Sequence, residues 1–348
     1  MAREAAAVKT QPLLAGFDGQ PPPAPDWFTQ ALADQPQRTH VPVQGAPIET
    51  LAWGRVGDPG LLLLHGNSAH ADWYSFVAPL LRQGRRVVAC SFSGMGDSGW
   101  RTQYSVAQWA DEALAVAEAA GLFAAAVAPT VAAHSFGGLP LMNLAARHGQ
   151  RLARAVVIDT PLRAMTSAPE NTARRRQRVQ ALRSARVYGS VAQALLRFRL
   201  LPPQSCAHLY VADLVARRGL KQTTGPDGQP GWVWRFDPFL FRHFDFGHPS
   251  RDLAAAQCPL TIVRGGRSRL MTAELLDQVV ALAPPGTQRL ELPDADHHVM
   301  LDQPQAFAQM LASLMPISGP KPVPKPVPNP VPAPTPTPPP TDRPTTPS

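Results

Sequence analysis

The sequence predicts an α/β fold built on a mostly parallel sheet, and two observations carry that prediction. Short apolar runs alternate with segments of helical periodicity, which is the order of strand–helix–strand units. The runs are apolar almost throughout, as expected for parallel strands that are covered on both faces. The predicted strands are 61–64, 86–90, 127–133, 155–158, 260–263 and 288–292. The predicted helices are 72–81, 106–120, 139–147, 273–282 and 304–314.

Three segments flank or interrupt this alternation and divide the chain into regions. Residues 1–37 form a Pro-rich arm, and residues 164–249 are an Arg- and aromatic-rich segment that we interpret as a mainly helical cap inserted in the sheet. The core is then made of residues 38–163 and 250–317. From 318 to 348 proline occupies nearly every second position, which predicts a disordered tail with polyproline II bias. Such a tail either binds a proline-reading protein partner or only solubilises the chain, and we favour the second role.

Length and composition exclude several classes of protein. The 348 residues are 44% apolar, an ordinary fraction for a globular protein, and no run approaches the ~20 apolar residues of a membrane span. The first 26 residues lack the apolar core of a secretory signal, so the expected location is the cytoplasm. Cys90, Cys206 and Cys258 are too few and too widely spaced to indicate a disulfide framework or a metal site.

The net charge of +8 raises the question of a nucleic-acid partner, and the sequence argues against one. The excess comes from 29 Arg against four Lys. Its densest cluster consists of Arg174, Arg175, Arg176, Arg178, Arg183 and Arg186. Aromatic residues are not interleaved with these arginines, as a single-strand binder would require. We interpret the cluster as a salt-bridged, solvated helix face, with a binding patch for acidic substrates or partners as the alternative.

The octapeptide from Ala132 to Leu139, AAHSFGGL, carries the strongest sign of chemistry. It lies between an apolar run and a helical segment, and a Ser at the apex of a sharp strand–turn–helix is a nucleophile elbow. The turn strains the backbone of Ser135, so its neighbours must be small, and Ala133 and Gly137 stand two residues to either side. Gly is usual at the first of these positions, where this chain has Ala133. Gly138 lets the following helix approach the sheet closely.

Two short motifs contribute candidate oxyanion donors. His65, Gly66 and Asn67 follow the first apolar strand, and Gly66 permits a tight turn. The next peptide N–H, that of Asn67, can then face a developing oxyanion. The N–H of Phe136 supplies a second fixed donor. The residues predicted to support this arrangement are His65, Gly66, His134 and Gly137.

The loop after the last apolar strand carries the candidate base. His297 and His298 stand side by side on this loop, directly after Asp296. A His in that place reaches back to a Ser elbow and acts as a general base. The Gly-rich loop 92–100 follows another strand, and we interpret it as structural.

Together these motifs resemble the α/β-hydrolase superfamily. They are His65-Gly66-Asn67, Gly94-Met95-Gly96-Asp97-Ser98, His134-Ser135-Phe136-Gly137-Gly138, and His297 followed by Asp302 and Pro304. The resemblance covers about residues 40–316 and implies an eight-stranded, mostly parallel sheet, a cap over the site, and neither a metal nor an organic cofactor. In that family the catalytic His usually stands five residues before the acidic residue at the start of the final helix. Counting back from Asp302 implies His297 rather than His298.

The acidic residue of the site is displaced from the position that is common in this family. Members often carry it after the seventh strand in a Gly-x-x-Asp pattern, but here the loop reads Gly265-Gly266-Arg267-Ser268-Arg269, without a carboxylate. Some members use a residue after the sixth strand instead, and Asp159 stands at the end of that apolar strand. The resemblance therefore implies that Asp159 orients His297, although an Asp in this place can also be a cap or turn former.

The resulting prediction is a Ser-nucleophile hydrolase with Ser135, His297 and Asp159 as its triad. Its expected substrate is a small carboxylic ester, lactone or thioester that is cleaved through an acyl-enzyme. Two alternatives stay open. One is carbon–carbon bond hydrolysis on the same fold, and the other is a non-catalytic, hydrolase-like protein that binds a ligand or signals.

Two groups of side chains in the insert are candidates for substrate contacts. The aromatic ones are Trp232, Trp234, Phe236, Phe239, Phe241, Phe244 and Phe246. They form the core of the insert itself or, in part, an apolar pocket. Arg197 and Arg199 either meet a substrate carboxylate or pair with acidic residues of the insert. The acidic candidates are Asp213 and Asp237.

Overall fold

A computed structural model describes residues 12–162 and 186–316 of the chain. The strands of these residues are β1 Gln37–Val43, β2 Ala46–Trp53, β3 Gly60–Leu64, β4 Arg86–Cys90, β5 Tyr104–Ser105, β6 Thr130–His134, β7 Arg154–Ile158, β8 Leu220–Thr224, β9 Pro230–Trp234, β10 Phe244–Asp245, β11 Leu260–Gly265 and β12 Gln288–Leu292. The α-helices are α1 Asp26–Ala33, α2 Ala78–Leu81, α3 Val106–Ala119, α4 Gly138–His148, α5 Val191–Leu195, α6 Leu209–Arg218, α7 Pro249–Ala254, α8 Ala273–Leu282, α9 Val299–Asp302 and α10 Pro304–Leu314.

Eight strands form one central sheet, in the spatial order β1-β2-β4-β3-β6-β7-β11-β12. Among the six strands from β4 to β12 in this order, every neighbouring pair is parallel. At the other edge, β2 is antiparallel to both of its neighbours, β1 and β4. The predicted eight-stranded, mostly parallel sheet is thereby confirmed, and so is the alternation of strands with helices.

Alternate residues of the central strands fill two cores, one on each face of the sheet. In β3, Leu62 and Leu64 pack into the core that α3, α4 and α8 cover. Leu61 and Leu63 point the other way, into the core that α1, α2 and α10 cover. All four side chains are fully buried. This two-sided burial explains why the strand appears in the sequence as an unbroken apolar run.

The predicted helix 72–81 is broken in its middle. The structure has a 3₁₀ turn at Ala71–Tyr74 and then the short helix α2. Pro79 explains the break, because in a continuous helix its ring would clash with the carbonyl of Ser75 and its missing N–H would leave that carbonyl unbonded.

The strand predicted at 127–133 is shorter than expected, and two strands of the central sheet were not predicted at all. Pairing in β6 begins at Thr130, because Pro129 has no N–H to offer to a neighbouring strand. The sequence analysis missed β1 and β2. The side chains of β1 are exposed along most of the strand, so it has no apolar run to reveal it.

The described part of the predicted N-terminal arm packs on the core. Its helix α1 buries Phe28 and Ala31, which lie three residues apart on one helical face. The Phe28 ring lies 4.7 Å from the ring of Tyr210 in the insert and 6.1 Å from that of Phe76, between ring centroids. The arm docks because it contains apolar side chains. Its many prolines made these side chains difficult to recognise in the sequence.

The described part of the insert, residues 186–249, is mixed rather than mainly helical. It contains α5 and α6, the antiparallel hairpin β8–β9, and β10, which pairs with β5 of the core. The hairpin turn includes Asp227 and Gly228, and Gly228 has φ +78°. An Asp-Gly pair between two short runs is a hairpin signal that the helical expectation overlooked.

Polar contacts attach the insert to the core on both sides of its hairpin. Arg218 of α6 pairs with the buried Asp72 of the core at 2.5 Å. The hydroxyl of Tyr104 donates a hydrogen bond of 2.8 Å to Asp237, which follows β9. The hairpin of the insert is therefore bonded to the core just before β8 and just after β9.

Some predictions concern residues outside the described ranges. They are the Pro-rich tail and the part of the Arg cluster that ends at Arg183. Within the described ranges, no helix combines the length and the apolar character that a membrane crossing needs.

Candidate active site

The predicted site residues lie on loops at the carboxyl ends of neighbouring strands. His65 follows β3, Ser135 follows β6 and Asp159 follows β7. Ser268 lies just after β11, and His297 lies on the loop after β12. Since parallel strands end at the same edge of the sheet, the fold collects side chains that are far apart in the sequence.

Ser135 lies in a strained turn between β6 and α4. Its φ of +52° falls in the left-handed region, which costs a residue with a side chain about 1–3 kcal/mol. The hydroxyl of Thr160 donates a hydrogen bond of 2.8 Å to the Ser135 carbonyl. A Cβ on Gly137 would lie 2.4 Å from the carbonyl oxygen of His65, and one on Gly138 would lie 2.1 Å from Thr160 Oγ1. The turn therefore needs both glycines, as the elbow motif predicts.

The ring of His297 connects Ser135 to Asp159. The Ser135 hydroxyl donates to His297 Nε2 at 2.9 Å, and His297 Nδ1–H donates to Asp159 Oδ1 at 2.7 Å. His297 is 2% exposed and Asp159 is fully buried, so little water competes for these bonds. His298 does not take this place. Its ring packs 5.4 Å from that of Trp73, and burial next to two other histidines lowers its pKa well below the usual value.

The carboxylate of Asp159 is held by three donors. The N–H of Gly265 bonds Oδ2 at 2.8 Å, and the hydroxyl of Ser268 bonds Oδ1 at 2.7 Å, beside the bond from His297. Asp159 itself has φ +47°, so a second functional position is strained. The sequence analysis did not assign Ser268 to the site. It occupies the last place of a Gly-x-x-Ser pattern in the loop where family members carry their acid, and this could have revealed it.

A fixed histidine tautomer orients the predicted oxyanion loop. His65 Nε2 accepts the N–H of Phe92 at 3.0 Å, so Nδ1 carries the proton and donates to the Gly66 carbonyl at 2.7 Å. Burial lowers the pKa of His65 to about 3, which keeps the ring neutral. Because the C=O and N–H of a trans peptide point in opposite directions, this bond turns the Asn67 N–H away from the ring. A Cβ on Gly66 would lie 3.2 Å from that of Ser135, so the peptide is adjacent to the candidate nucleophile.

Aromatic rings of the insert gather around Phe136, the residue after Ser135. Three of them have centroids 5.5–5.9 Å from that of the Phe136 ring, those of Phe241, Phe244 and Phe246. Trp232 and Trp234 instead pack against a smaller core within the insert. The two tryptophans therefore belong to the core of the insert, whereas the three phenylalanines pack with Phe136 against the larger core of the protein.

A pocket of about 590 Å³ opens beside the candidate base. Its polar lining residues are Arg199, Gln204, Ser205, Arg269, Asp296 and His297. Arg199 does not make the internal ion pair that the sequence allowed. Asp213 pairs with Arg217 at 2.7 Å, and Asp237 accepts from Tyr104. The guanidinium of Arg199 bonds only backbone carbonyls in the described residues, and it lines the pocket.

One group of side chains within 12–162 and 186–316 has metal-ligating atoms close together. It consists of His134, His297 and His298, whose ligand atoms lie within 4.8 Å of one another. Two of these rings already have partners. His134 Nε2–H donates to the His297 carbonyl at 2.8 Å, and His297 bonds Ser135 and Asp159. The bond from His134 fixes the backbone beneath the His297 ring. His134, which was predicted to support the site, therefore has a structural role there.

A profile of the Alpha/beta hydrolase family matches residues 61–310. The chain belongs to this family. The hydrolase is 29% identical over 279 residues to the esterase Rv0045c of Mycobacterium tuberculosis, and the match covers 78% of this chain and 88% of that protein. Solved structures with the same fold include that esterase, with a TM-score of 0.66, 24% identity, and coverage of 84% of this chain and 99% of that one. The thioesterase domain from the curacin biosynthetic pathway is another, with a TM-score of 0.65, 22% identity, and coverage of 80% and 98%. The resemblance that the motifs predicted is confirmed.

Proposed function

We propose that this α/β-hydrolase cleaves carboxylic esters with Ser135 as nucleophile, His297 as general base and Asp159 as the residue that orients the base. The observation that carries the proposal is the continuous pair of hydrogen bonds, 2.9 and 2.7 Å long, from Ser135 through His297 to Asp159. The likeness to an esterase that aligns with 78% of the chain supports the same substrate class.

Each proton in the proposed reaction has a defined place. Ser135 Oγ attacks the ester carbonyl while its proton passes to His297 Nε2. The protonated ring then gives that proton to the leaving alcohol, and an acyl-enzyme remains. Water repeats the two steps and releases the acid. Asp159 accepts the Nδ1–H bond throughout and stabilises the imidazolium that forms.

The negative charge of the tetrahedral intermediate would be met by the N–H groups of Asn67 and Phe136. The arrangement supports this role because the bond from His65 to the Gly66 carbonyl fixes the direction of the Asn67 N–H in advance. Fixed donors cost no reorganisation during the reaction, and one such donor contributes about 10²–10³ in kcat.

The surroundings of Ser135 favour a substrate with an apolar part. The ring of Phe136 and the three insert phenylalanines around it place apolar surface next to the nucleophile. Burying one methylene group against such surface contributes about 0.8 kcal/mol. We therefore expect small apolar acyl esters to be cleaved better than formyl or acetyl esters, with lactones and thioesters as related substrates.

Hydrolysis of a panel of p-nitrophenyl esters tests the proposal. We expect Ser135→Ala to lower kcat by roughly 10⁴-fold or more, because loss of the nucleophile removes nearly the whole effect of the triad. Ser313→Ala, at an exposed position of α10, is the matched control and should keep the wild-type rate. An unchanged rate in Ser135→Ala would show that another group performs the reaction.

Covalent labelling distinguishes an enzyme from a ligand-binding relative. A fluorophosphonate probe should label the wild type on Ser135 and leave Ser135→Ala unlabelled, because only an activated Ser attacks it. A wild-type protein that is neither labelled nor active on any ester of the panel would instead be a binding protein on this fold.

A further inference from the structure

The loop that carries His297 is held by a carboxylate from the helix that follows it. Asp302, the last residue of α9, accepts the N–H of Asp296 on Oδ2 at 2.8 Å. Asp296 is the residue directly before His297. The bond therefore closes the loop around the candidate base, with Asp302 as its anchor in the core.

A side chain of the insert, Gln204, spans this loop. Its Nε2 donates to both carboxylate oxygens of Asp302, at 3.0 Å to Oδ1 and 2.9 Å to Oδ2. Its Oε1 accepts the N–H of His298 at 3.0 Å. The amide group of Gln204 thus accepts the N–H of His298, directly after His297. It also donates to the Asp302 carboxylate, which accepts the N–H of Asp296, directly before His297.

The amide of Gln204 satisfies all of these partners at once. The Asp302 carboxylate needs a donor, and the backbone N–H of His298 needs an acceptor, and the two ends of Gln204 supply one of each. Burial raises the pKa of Asp302 to about 6, so at neutral pH the group is largely ionised and its bonds from Gln204 are charge-assisted. Asp296 and Arg267 are the charged side chains that act on this carboxylate, with opposite effects.

We propose that Gln204 is a positioning residue for the general base, through which the docked insert sets the orientation of His297. This inference rests on the proposed function, since it assigns a role within the same Ser135–His297–Asp159 arrangement. Gln204 touches neither reacting atom. It acts through the two backbone N–H groups that flank His297 along the chain.

An exchange of charge between the two partners tests this inference. In Gln204→Glu a second carboxylate faces that of Asp302, and in Asp302→Asn two N–H donors face each other. We expect each single variant to lower kcat about tenfold, which corresponds to about 1.4 kcal/mol, with KM changed less than about twofold. The double variant Gln204→Glu with Asp302→Asn reverses donor and acceptor and keeps the net charge. We expect it to recover kcat to within about threefold of the wild type.

Hydrogen exchange of residues 294–302 gives a readout that does not depend on activity. The amides of this loop should exchange faster in both single variants and return to the wild-type rate in the double variant. If Gln204→Glu does not fold, Gln204→Met removes the same bonds without adding a charge and should show the same loss of kcat. Gln193→Glu, at an exposed position of the same insert, is the matched control and should behave as wild type.

Two results would overturn the inference. One is a wild-type kcat in Gln204→Glu, and the other is a double variant as slow as, or slower than, the single variants. A wild-type protein without any esterase activity would instead contradict the proposed function. In that case the hydrogen-exchange rates of residues 294–302 would still test whether Gln204 holds this loop.

Discussion

The two halves of the candidate site are positioned in different ways. Ser135 is placed by one continuous segment, in which a strand, a tight turn and a helix follow each other within 19 residues, Thr130–His148. His297 is placed by side chains from distant segments. Asp159 precedes it by 138 residues and His134 by 163, and Gln204 bonds its neighbour from the insert. Local backbone geometry positions the proposed nucleophile, whereas tertiary contacts position the proposed base.

The two halves are therefore vulnerable to different kinds of substitution. The nucleophile half depends on small residues that allow close approach, such as Gly137 next to the carbonyl of His65. The base half depends on paired donors and acceptors in a buried setting, where an unpaired polar group costs about 1–3 kcal/mol. A substitution that adds volume should damage the first half, and one that changes hydrogen bonding should damage the second.

Among variants that keep both Ser135 and His297, the largest effect is expected in the base half, from Asp159→Asn. This nearly isosteric change should keep the fold and lower kcat by roughly 10²–10⁴-fold, because His297 loses the carboxylate that sets its tautomer. Ester hydrolysis and circular dichroism measure the two properties together. Full activity in this variant would rule out Asp159 as the orienting acid.

A second variant asks whether the base half depends on the carboxylate or on its place in the chain. Ser268 Oγ lies 2.7 Å from Asp159 Oδ1, so a carboxylate at position 268 would stand near the same His297 ring. Asp159→Asn combined with Ser268→Asp should recover part of the lost rate. Ser268→Asn in the Asp159→Asn background is the matched control, and equal rates for the two double variants would contradict the expected rescue.

An intermediate effect is expected in the nucleophile half, from Gly137→Ala. The added methyl group would lie 2.4 Å from a backbone oxygen, so the turn at Ser135 must shift. Overpacking of this kind costs about 1–3 kcal/mol, and we expect kcat to fall about 10–100-fold together with a lower melting temperature. Gly16→Ala, where an added Cβ meets nothing within 4 Å and φ is not positive, is the matched control for a Gly→Ala change without a clash. A fully active Gly137→Ala would show that the elbow tolerates the displacement.

The smallest effect concerns stability, because both halves bury neutral histidines. The pKa of His65, next to the nucleophile, is lowered by burial to about 3, and burial also lowers the pKa of His298 well below 6.5. Well above pH 6.5 these histidines are neutral in both the folded and the unfolded chain, so the stability of the fold is undiminished. As the pH falls below 6.5 the unfolded chain binds protons that the folded chain does not, so each such histidine removes about 1.4 kcal/mol of stability per pH unit.

Urea unfolding between pH 7.5 and 5 measures this dependence. His298→Asn should make the dependence shallower by about one proton, whereas a change at the exposed His243 should leave it as in the wild type. An unchanged slope in His298→Asn would mean that His298 is protonated in the folded chain.

The sequence predicted the fold and the turn that carries Ser135 well for a physical reason. The elbow, the apolar strands and the helices are all local patterns. A segment of eight residues is enough to recognise Ser135 and the glycines that follow it. The spacing from Asp302 also pointed to His297. Partners that meet only in the folded chain were harder to find. Ser268 and Gln204 are single polar residues in irregular segments, and no local pattern connects them to Asp159 or His298.

The same distinction between local patterns and remote contacts explains where the predicted and the observed folds differ. Pro79 and Pro129 act locally and could have been used to place the ends of two elements. The exposed strand β1 and the docking of α1 depend on packing partners that are remote in sequence. In the insert, the apolar alternation and the Asp227-Gly228 pair were present, but the helical expectation gave them too little weight.

The most direct test of the central claim is site mapping of a fluorophosphonate adduct by mass spectrometry in two neighbouring histidine variants. We expect the adduct on Ser135 in the wild type and in His298→Ala, and its loss in His297→Ala, whose turnover should fall by several orders of magnitude while the protein stays folded. Labelling of His297→Ala together with its loss in His298→Ala would contradict the assignment of the base and, with it, the proposed arrangement of the site.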